Sequence, residues 1–300
     1  MRLQGRARVA EASASCSGGG EALARAGDAR VVSVNVGRPT EILWHGRRVR
    51  TAIWKTPVDG PVVARGVNLV GDVQADRTAH GGPDKALYAY AAEDLAWWSA
   101  QLDLELGPGS MGENVTTSGI DLADVVVGEC WQVGGVRLQV TQPRIPCFKL
   151  GVRMADDRFP ERFAASHRYG FYLRILAEGE LEAGDEIVVA ERPAHRFLAA
   201  DVARIFYDQH LRAGELLRVP ELPRSWHRWA NRMLRVADPE GPAERRAPSL
   251  GRARGRPEAS EPTEASDERG GQVPEPASCV PPDGAAGERP GGAERRAGWR

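Results

Sequence analysis

The feature that most constrains the fold of this chain is an abrupt change of composition near residue 237. Residues 237–300 hold ten of the 21 prolines and ten of the 34 glycines of the 300-residue chain. Their large apolar residues are only Leu250, Val273, Val280 and Trp299. Such a segment buries too little apolar surface to offset the ~1–2 kcal/mol of backbone entropy lost per ordered residue. We therefore predict a disordered Pro/Gly-rich tail over 237–300.

The first 29 residues are similar in kind, with early arginines and three consecutive glycines. They contain no apolar stretch of the length that a secretory signal requires, so we predict a disordered extension over 1–29. No run in the chain approaches the ~20 apolar residues of a membrane-spanning helix. We expect a cytoplasmic protein with no membrane partner.

Charge and cysteine content narrow the function classes. Lys and Arg number 40 and Asp and Glu 41, a formal net charge of −1. A general nucleic-acid binder needs excess cations to neutralise phosphates, so we predict no nucleic-acid partner. The four cysteines form no CxxC pair, which argues against a disulfide scaffold and against cysteine-rich zinc or iron–sulfur sites; they are Cys16, Cys130, Cys147 and Cys279.

The segment 30–193 contains many short β-branched or alternating runs separated by Gly-rich turns, and one helical pattern at 93–102. Predicted strands are 31–36, 42–44, 49–53, 67–70, 87–90, 125–127, 131–133, 136–140, 169–176 and 186–189. Many strands with few crossover helices favour a mainly β, antiparallel-rich sandwich or closed barrel over a doubly wound α/β fold.

Apolar residues return at helical spacing in 194–236. Val202, Ile205 and Phe206 mark one helix, a leucine-containing stretch marks a second, and Trp226 and Trp229 begin the stripe of a third. We predict a small three-helix module over 194–236 that packs on the β domain.

One segment with chemical potential follows directly on a predicted strand and reads QPRIPCFKL, from Gln142 to Leu150. Its two prolines stiffen the backbone. Cys147 lies between the cations Arg144 and Lys149, an environment that lowers a thiol pKa. A thiolate is both a nucleophile and a soft metal ligand. The alternative is that Cys147 is merely a buried free cysteine, and the spacing leaves both interpretations open.

A second segment, HGGPDKAL, supplies an acid–base group, an acceptor and a cation in His80, Asp84 and Lys85. The adjacent Gly81 and Gly82 would let backbone N–H groups approach a ligand. The same residues also suit an ordinary tight turn.

A third segment, GENV, contains Asn114, which could bond a ring amide of a ligand or its own backbone. No phosphate-binding loop, dinucleotide fingerprint or HExxH motif is present. No other feature of the sequence supports a hydrolase dyad formed by Cys147 and His80.

Taken in order, HGGPDKALYAY, GENVT and GExxxVGxxxLQVTQPRxPCFKL resemble the MOSC domain family. More specifically, they resemble the YiiM-like group of 6-N-hydroxylaminopurine resistance proteins, although Glu129 stands where that pattern has Asp. The resemblance covers 31–234. It implies a barrel-like β domain followed by three helices, a molybdenum cofactor site, and reduction of N-hydroxylated bases and hydroxylamines.

The resemblance also implies roles for individual residues. Cys147 would be the molybdenum ligand or a sulfur-carrying thiol, His80 would deliver protons, and Asp84 would orient His80 or stabilise its turn. The cofactor Mo-molybdopterin would be held by cations, backbone donors and polar side chains, namely Arg144, Lys149, Lys85, Gly81, Gly82, Asn114 and Gln142.

We thus predict a molybdenum-dependent oxidoreductase that detoxifies N-hydroxylated small molecules. Because the chain lacks a ferredoxin cysteine set and a dinucleotide fingerprint, electrons would come from a separate flavin or iron–sulfur reductase. Two alternatives remain: a carrier of the cofactor or of a Cys147 persulfide without turnover, and a cofactor-free β scaffold that binds proteins. Pyridoxal phosphate is not expected. If Trp226 or Trp229 is exposed, it is a candidate contact in a homodimer.

Overall fold

A computed structural model describes residues 29–76 and 81–237. The predicted extension and tail lie outside the described residues, apart from their inner ends, as do Cys16, Cys279 and His80. Among the described residues, no helix is long and apolar enough to cross a bilayer.

Thirteen strands make up the described β structure. They are β1 Arg30–Gly37, β2 Thr40–Trp44, β3 Arg47–Thr51, β4 Lys55–Pro57, β5 Val62–Arg65, β6 Asn68–Leu69, β7 Leu87–Ala91, β8 Val115–Ser118, β9 Cys130–Val133, β10 Val136–Pro143, β11 Phe171–Ala177, β12 Gly179–Leu181 and β13 Ile187–Glu191. Eight form one sheet in the order β13-β9-β10-β11-β7-β8-β1-β4, while β12-β5-β6 and the β2–β3 hairpin are separate sheets.

The large sheet is antiparallel except for one pair. Only β7 and β8 run parallel within the described ladders, so the predicted mainly β, antiparallel-rich fold is confirmed. The strand order is open, with no ladder between β13 and β4 in the described part. The sheet nevertheless curls, because Val31 N–H donates to Asp185 O (2.9 Å) and Ile187 N–H donates to Ala29 O (2.8 Å). These bonds join the start of β1 to the start of β13.

Five α-helices and two 3₁₀ helices accompany the strands. They are η1 Pro83–Lys85, α1 Ala92–Leu102, α2 Phe148–Met154, α3 Phe159–Ala165, α4 Ala199–Tyr207, η2 His210–Arg218 and α5 Arg224–Ala237. The helix predicted at 93–102 is α1. The three helices predicted for 194–236 are α4, η2 and α5, of which the middle one is 3₁₀.

The predicted strand at 125–127 is reduced to a single antiparallel bridge, between Val126 and Leu198. This valine run pairs instead with the segment that leads into α4: Val127 N–H donates to Phe197 O (2.9 Å), and Ala199 N–H donates to Val125 O (2.9 Å). The sequence pattern of a buried strand and of a buried irregular run is the same, so only the tertiary pairing separates them.

One apolar core joins the sheet to the C-terminal helices. It runs from Trp131 and Phe171 to Phe206, Trp226 and Trp229, and the Phe206 ring lies 5.4 Å from Trp226 and 5.3 Å from Trp229. Trp226 and Trp229 are 0% and 2% exposed. The expectation that either is an exposed dimer contact is therefore wrong, because both rings are buried in the chain's own core.

Candidate functional site

Cys147 lies at the end of the proline-containing loop after β10, immediately before α2, and is 7% exposed. It borders a cleft of about 640 Å³, counted out to its open mouth. Arg144, Lys149 and Lys85, three of the cations predicted from the sequence, line the same cleft. Side chains separated by up to 64 positions are thus brought together by the pairing of β10, β11 and β7.

The Arg144 guanidinium is fixed in the cleft wall. Its Nη1 donates to the Met111 carbonyl, and the guanidinium carbon lies 4.6 Å from the Tyr88 ring centroid. Arg144 is 6% exposed. A buried, held guanidinium is a preorganised donor for a phosphate or another anion.

The two predicted lysines differ in their surroundings. Lys149 Nζ is paired with Asp76 Oδ2 at 2.8 Å. For Lys85, burial lowers the pKa to about 8, against the opposing effect of Asp76, Asp84 and Cys147. Lys85 is therefore cationic at neutral pH but titrates in the mildly alkaline range.

The sequence did not predict a second ion pair in the cleft, which is buried. Lys55 Nζ lies 2.5 Å from Asp72 Oδ1, with side chains 8% and 3% exposed. Burial lowers the pKa of Lys55, although Asp72 opposes the shift. Asp72 also accepts from Gly37 N–H at 2.7 Å. No sequence signal marks this pair, since lysine and aspartate are usually exposed.

Asn114 lines the cleft, but its amide is engaged within the protein. Its Oδ1 accepts from Tyr88 N–H (3.2 Å), and its Nδ2 donates to Asp72 Oδ2 (2.9 Å) and Asn35 O (3.3 Å). Asn114 thus ties β7, β1 and Asp72 together. Its contact with a cofactor stays a prediction.

Asp84, Gln142, Gly81 and Gly82 are not among the described residues that line the cleft. Asp84 Oδ1 accepts from Arg174 at 2.6 and 2.8 Å, which links the turn to β11, and orientation of His80 by Asp84 stays a prediction. Gln142 Nε2 donates to Asp84 O at 3.3 Å. Their cofactor-binding roles stay predictions.

Gly82 has φ +94°, a conformation for which glycine is favoured. Its N–H donates to Gln74 Oε1 at 2.9 Å. The Gly82 donor is therefore used to hold the turn that carries Lys85. The sequence could not show this, because Gln74 lies outside the motif.

The donor set fits a molybdenum–pterin group. Within residues 29–76 and 81–237, no three His, Cys, Asp or Glu side chains are grouped to hold a metal by themselves. A metal here would combine the soft Cys147 sulfur with ligands that the cofactor brings. Four cationic side chains line the cleft against two carboxylates, a balance that suits a phosphate-bearing ligand; they are Lys55, Lys85, Arg144 and Lys149, with Asp72 and Asp76.

The family is decided by comparison with known proteins. The MOSC domain model matches residues 76–188. The uncharacterized protein YflK of Bacillus subtilis is 33% identical over 199 residues, which are 65% of this chain and 90% of YflK. The crystal structure of YiiM from Geobacillus stearothermophilus is 32% identical, with a TM-score of 0.58, covering 69% of this chain and 99% of that one. The chain belongs to the MOSC-domain family, in its YiiM-like group.

This MOSC protein is also similar to a protein of Gibberella moniliformis named "Reductase". The two are 31% identical over 182 residues, which are 59% of this chain but 32% of that protein. The matched region is thus a minor part of a longer chain. The MOSC match includes Cys147, Arg144, Lys149 and Lys85, whereas the part of the cleft lined by residues 51–75 precedes the matched range.

Proposed function

We propose that the cleft binds the molybdenum cofactor through Cys147 and that the protein reduces N-hydroxylated bases and hydroxylamines. The observation that carries this proposal is the convergence of one cysteine with Arg144, Lys149 and Lys85 in a single cleft of a MOSC protein. A soft thiolate surrounded by cations is suited to a metal whose remaining ligands carry negative charge.

The cleft residues would bind and orient the cofactor. Arg144 and Lys149 are the donors for its phosphate, and the Arg144 guanidinium is held in place by Met111. Tyr88 and Tyr172 also line the cleft, and burial raises the pKa of each phenol. Both phenols therefore stay neutral at physiological pH.

When bound, the cofactor would supply two electrons for the reaction R–NH–OH + 2 e⁻ + 2 H⁺ → R–NH₂ + H₂O. Lys85 holds a proton on Nζ at neutral pH, since its pKa is lowered only to about 8, and it lies in the same cleft as Cys147. His80, to which the sequence assigns proton delivery, lies outside the described residues.

The electrons would come from a separate flavin or iron–sulfur reductase. The chain carries no ferredoxin cysteine set and no dinucleotide fingerprint of its own. The similarity to the Gibberella protein named "Reductase" leaves 68% of that protein unmatched. In that protein, additional segments accompany a MOSC-like region, which supports a two-component arrangement here.

The proposal is tested with protein made in a host that synthesises molybdopterin. Metal-loaded protein, a competent electron donor and 6-N-hydroxylaminopurine are mixed, and adenine is followed by chromatography. We expect adenine to form with the wild type and Cys130→Ser, and not with Cys147→Ser. Metal-loaded wild type that forms no adenine would overturn the reductase proposal. A persulfide on Cys147 found by mass spectrometry in such inactive protein would assign the carrier function instead.

A further inference from the structure

The β2–β3 hairpin carries a concentration of positive charge on a chain that is nearly neutral overall. The segment 38–50 holds four arginines and one glutamate, whereas the whole chain has a formal net charge of −1. All four arginines are exposed, namely Arg38, Arg47, Arg48 and Arg50. Among the described residues only Arg48 has an ion-pair partner, Glu41 at 3.3 Å, and these side chains are 84% and 64% exposed. Such an exposed pair adds little stability, so the positive charge of the hairpin faces solvent.

The two faces of the hairpin differ in exposure. The antiparallel register places Leu43 opposite Arg48 and Glu41 opposite Arg50, and directly opposed side chains lie on the same face. These four residues, the outer face of the hairpin, are all exposed, Leu43 to 73%. Trp44, on the inner face, is half-buried. The outer face thus combines an apolar side chain with arginines, a composition that protein interfaces favour.

The hairpin is joined to the loop of Cys147 and to the cleft. The Trp44 indole stacks on the Phe148 ring with centroids 4.0 Å apart, and Phe148 directly follows Cys147 in the chain. Strand β3 ends at Thr51, and residues 51–53 line the cleft. A protein bound to the outer face would therefore lie beside the cleft.

We propose that the outer face of the β2–β3 hairpin is the docking surface for the electron donor, a flavoprotein whose flavin is surrounded by carboxylates. The inference rests on the proposed function and specifies where its donor binds and which charge that donor carries. Donor carboxylates would face Arg48 and Arg50, and an apolar side chain of the donor would contact Leu43. Two donor molecules, each oxidised by one electron from flavin hydroquinone to semiquinone, supply the two electrons of one turnover.

The chemistry of the face favours an acidic protein over a nucleic acid. Single-stranded nucleic acids bind cationic surfaces that also offer aromatic faces for base stacking. The Trp44 indole is already stacked on Phe148 and in edge contact with His45, and it lies on the other face from Leu43. Opposite charges across an interface speed encounter and fix orientation more than they raise affinity. That behaviour suits a donor that must leave after each electron.

The first test uses reduced flavodoxin, a small acidic flavoprotein, as the donor and 6-N-hydroxylaminopurine as the acceptor. In the hairpin variant, Arg48→Glu with Arg50→Glu, kcat/KM for flavodoxin should fall by about tenfold at low ionic strength. The loss should shrink at ~0.5 M salt, where exposed charges are screened. The control variant, Arg212→Glu with Arg228→Glu, reverses the same charge on exposed arginines of the C-terminal helices and should behave as the wild type. An equal loss in both variants would overturn the docking site.

Reduced methyl viologen, a small cationic donor that needs no docking surface, separates this inference from the proposed function. With this donor, the hairpin variant should turn over at no less than the wild-type rate. Wild-type turnover with methyl viologen but not with flavodoxin would overturn the docking site and leave the reductase proposal standing. If metal-loaded wild type turns over with neither donor, the reductase proposal fails, and binding alone decides whether the hairpin docks an acidic flavoprotein.

Titration calorimetry with oxidised flavodoxin and the full chain measures that binding without turnover. The flavodoxin Kd should rise by about tenfold in the hairpin variant and stay unchanged in the control variant. Leu43→Ala should raise the Kd severalfold without changing its salt dependence, because it removes no charge. An unchanged Kd in the hairpin variant would overturn the proposal. A loss confined to the binding of a single-stranded oligonucleotide or of anionic lipid vesicles would overturn it as well.

Discussion

Trp226 Nε1 donates a 2.7 Å hydrogen bond to Gln142 Oε1, so the last helix is tied directly to the strand that leads to Cys147. Gln142 in turn donates to Asp84 O, next to Lys85. The last helix therefore contacts the strand that precedes Cys147, and that strand contacts the turn that carries Lys85. The C-terminal helices also form part of the apolar core.

Replacing Trp226 with Phe should lower the free energy of unfolding by about 1–3 kcal/mol, because the buried Gln142 oxygen loses its donor. Urea titration measures the change. Trp229→Phe is the matched control, since Trp229 is buried in the same cluster and no hydrogen bond from its indole is seen within the described residues. An equal loss in both variants would show that ring volume, and not the hydrogen bond, accounts for the effect.

The buried Lys85 ammonium should destabilise the metal-free protein. Its pKa is lowered from 10.5 to about 8, so between these pH values the unfolded chain binds more protons and stability rises with pH. Lys85→Met should then be more stable than the wild type at pH 7, by a few kcal/mol at most (~1.4 kcal/mol per pKa unit). The difference should shrink by pH 9.5. A gap that does not change between urea titrations at these two pH values contradicts this account.

Glu113 should be needed to hold the loop that positions Arg144. Its carboxylate, fully buried, accepts from Gly109 N–H at 2.5 Å, Met111 N–H at 3.0 Å and Thr116 Oγ1 at 2.9 Å. Burial raises the pKa of Glu113, and these donors oppose the shift.

Glu113→Gln places an NH₂ group among those donors, so we expect a loss of about 1–3 kcal/mol in thermal or urea unfolding. The exposed Glu105→Gln should behave as the wild type. Wild-type stability in Glu113→Gln would mean that the buried carboxylate is not what organises the loop.

The sequence predicts the parts of the site that are local in the chain. The rigid loop around Cys147 and its flanking cations can be recognised because prolines and charges stand side by side. Helix α2, directly after the loop, was not predicted. Its sequence contains Gly151, which weakens a helical pattern, and an added Cβ there would lie 2.9 Å from Asp156 O. A close approach of the turn that follows α2, and not helix propensity, selects that glycine.

Long-range pairings account for the rest. Asn114, which is predicted to contact the cofactor, lines the cleft, and its amide also bonds Tyr88 and Asp72. Lys55 and Asp72 are 17 positions apart and carry no motif. Whether a polar side chain faces a ligand or another part of the protein depends on which strands are neighbours, and a single sequence does not encode that order in its local pattern.

The central claim, that Cys147 holds molybdenum in this cleft, is tested most directly by the metal content of two cysteine variants. Cys147 and Cys130 are both buried cysteines, but Cys130 lies in β9 and does not line the cleft. Each variant is purified from a molybdopterin-synthesising host, and molybdenum and pterin are measured per chain. The account predicts that Cys147→Ser loses most of its molybdenum while Cys130→Ser retains the wild-type amount. A Cys147→Ser protein that retains the wild-type amount of molybdenum would contradict it.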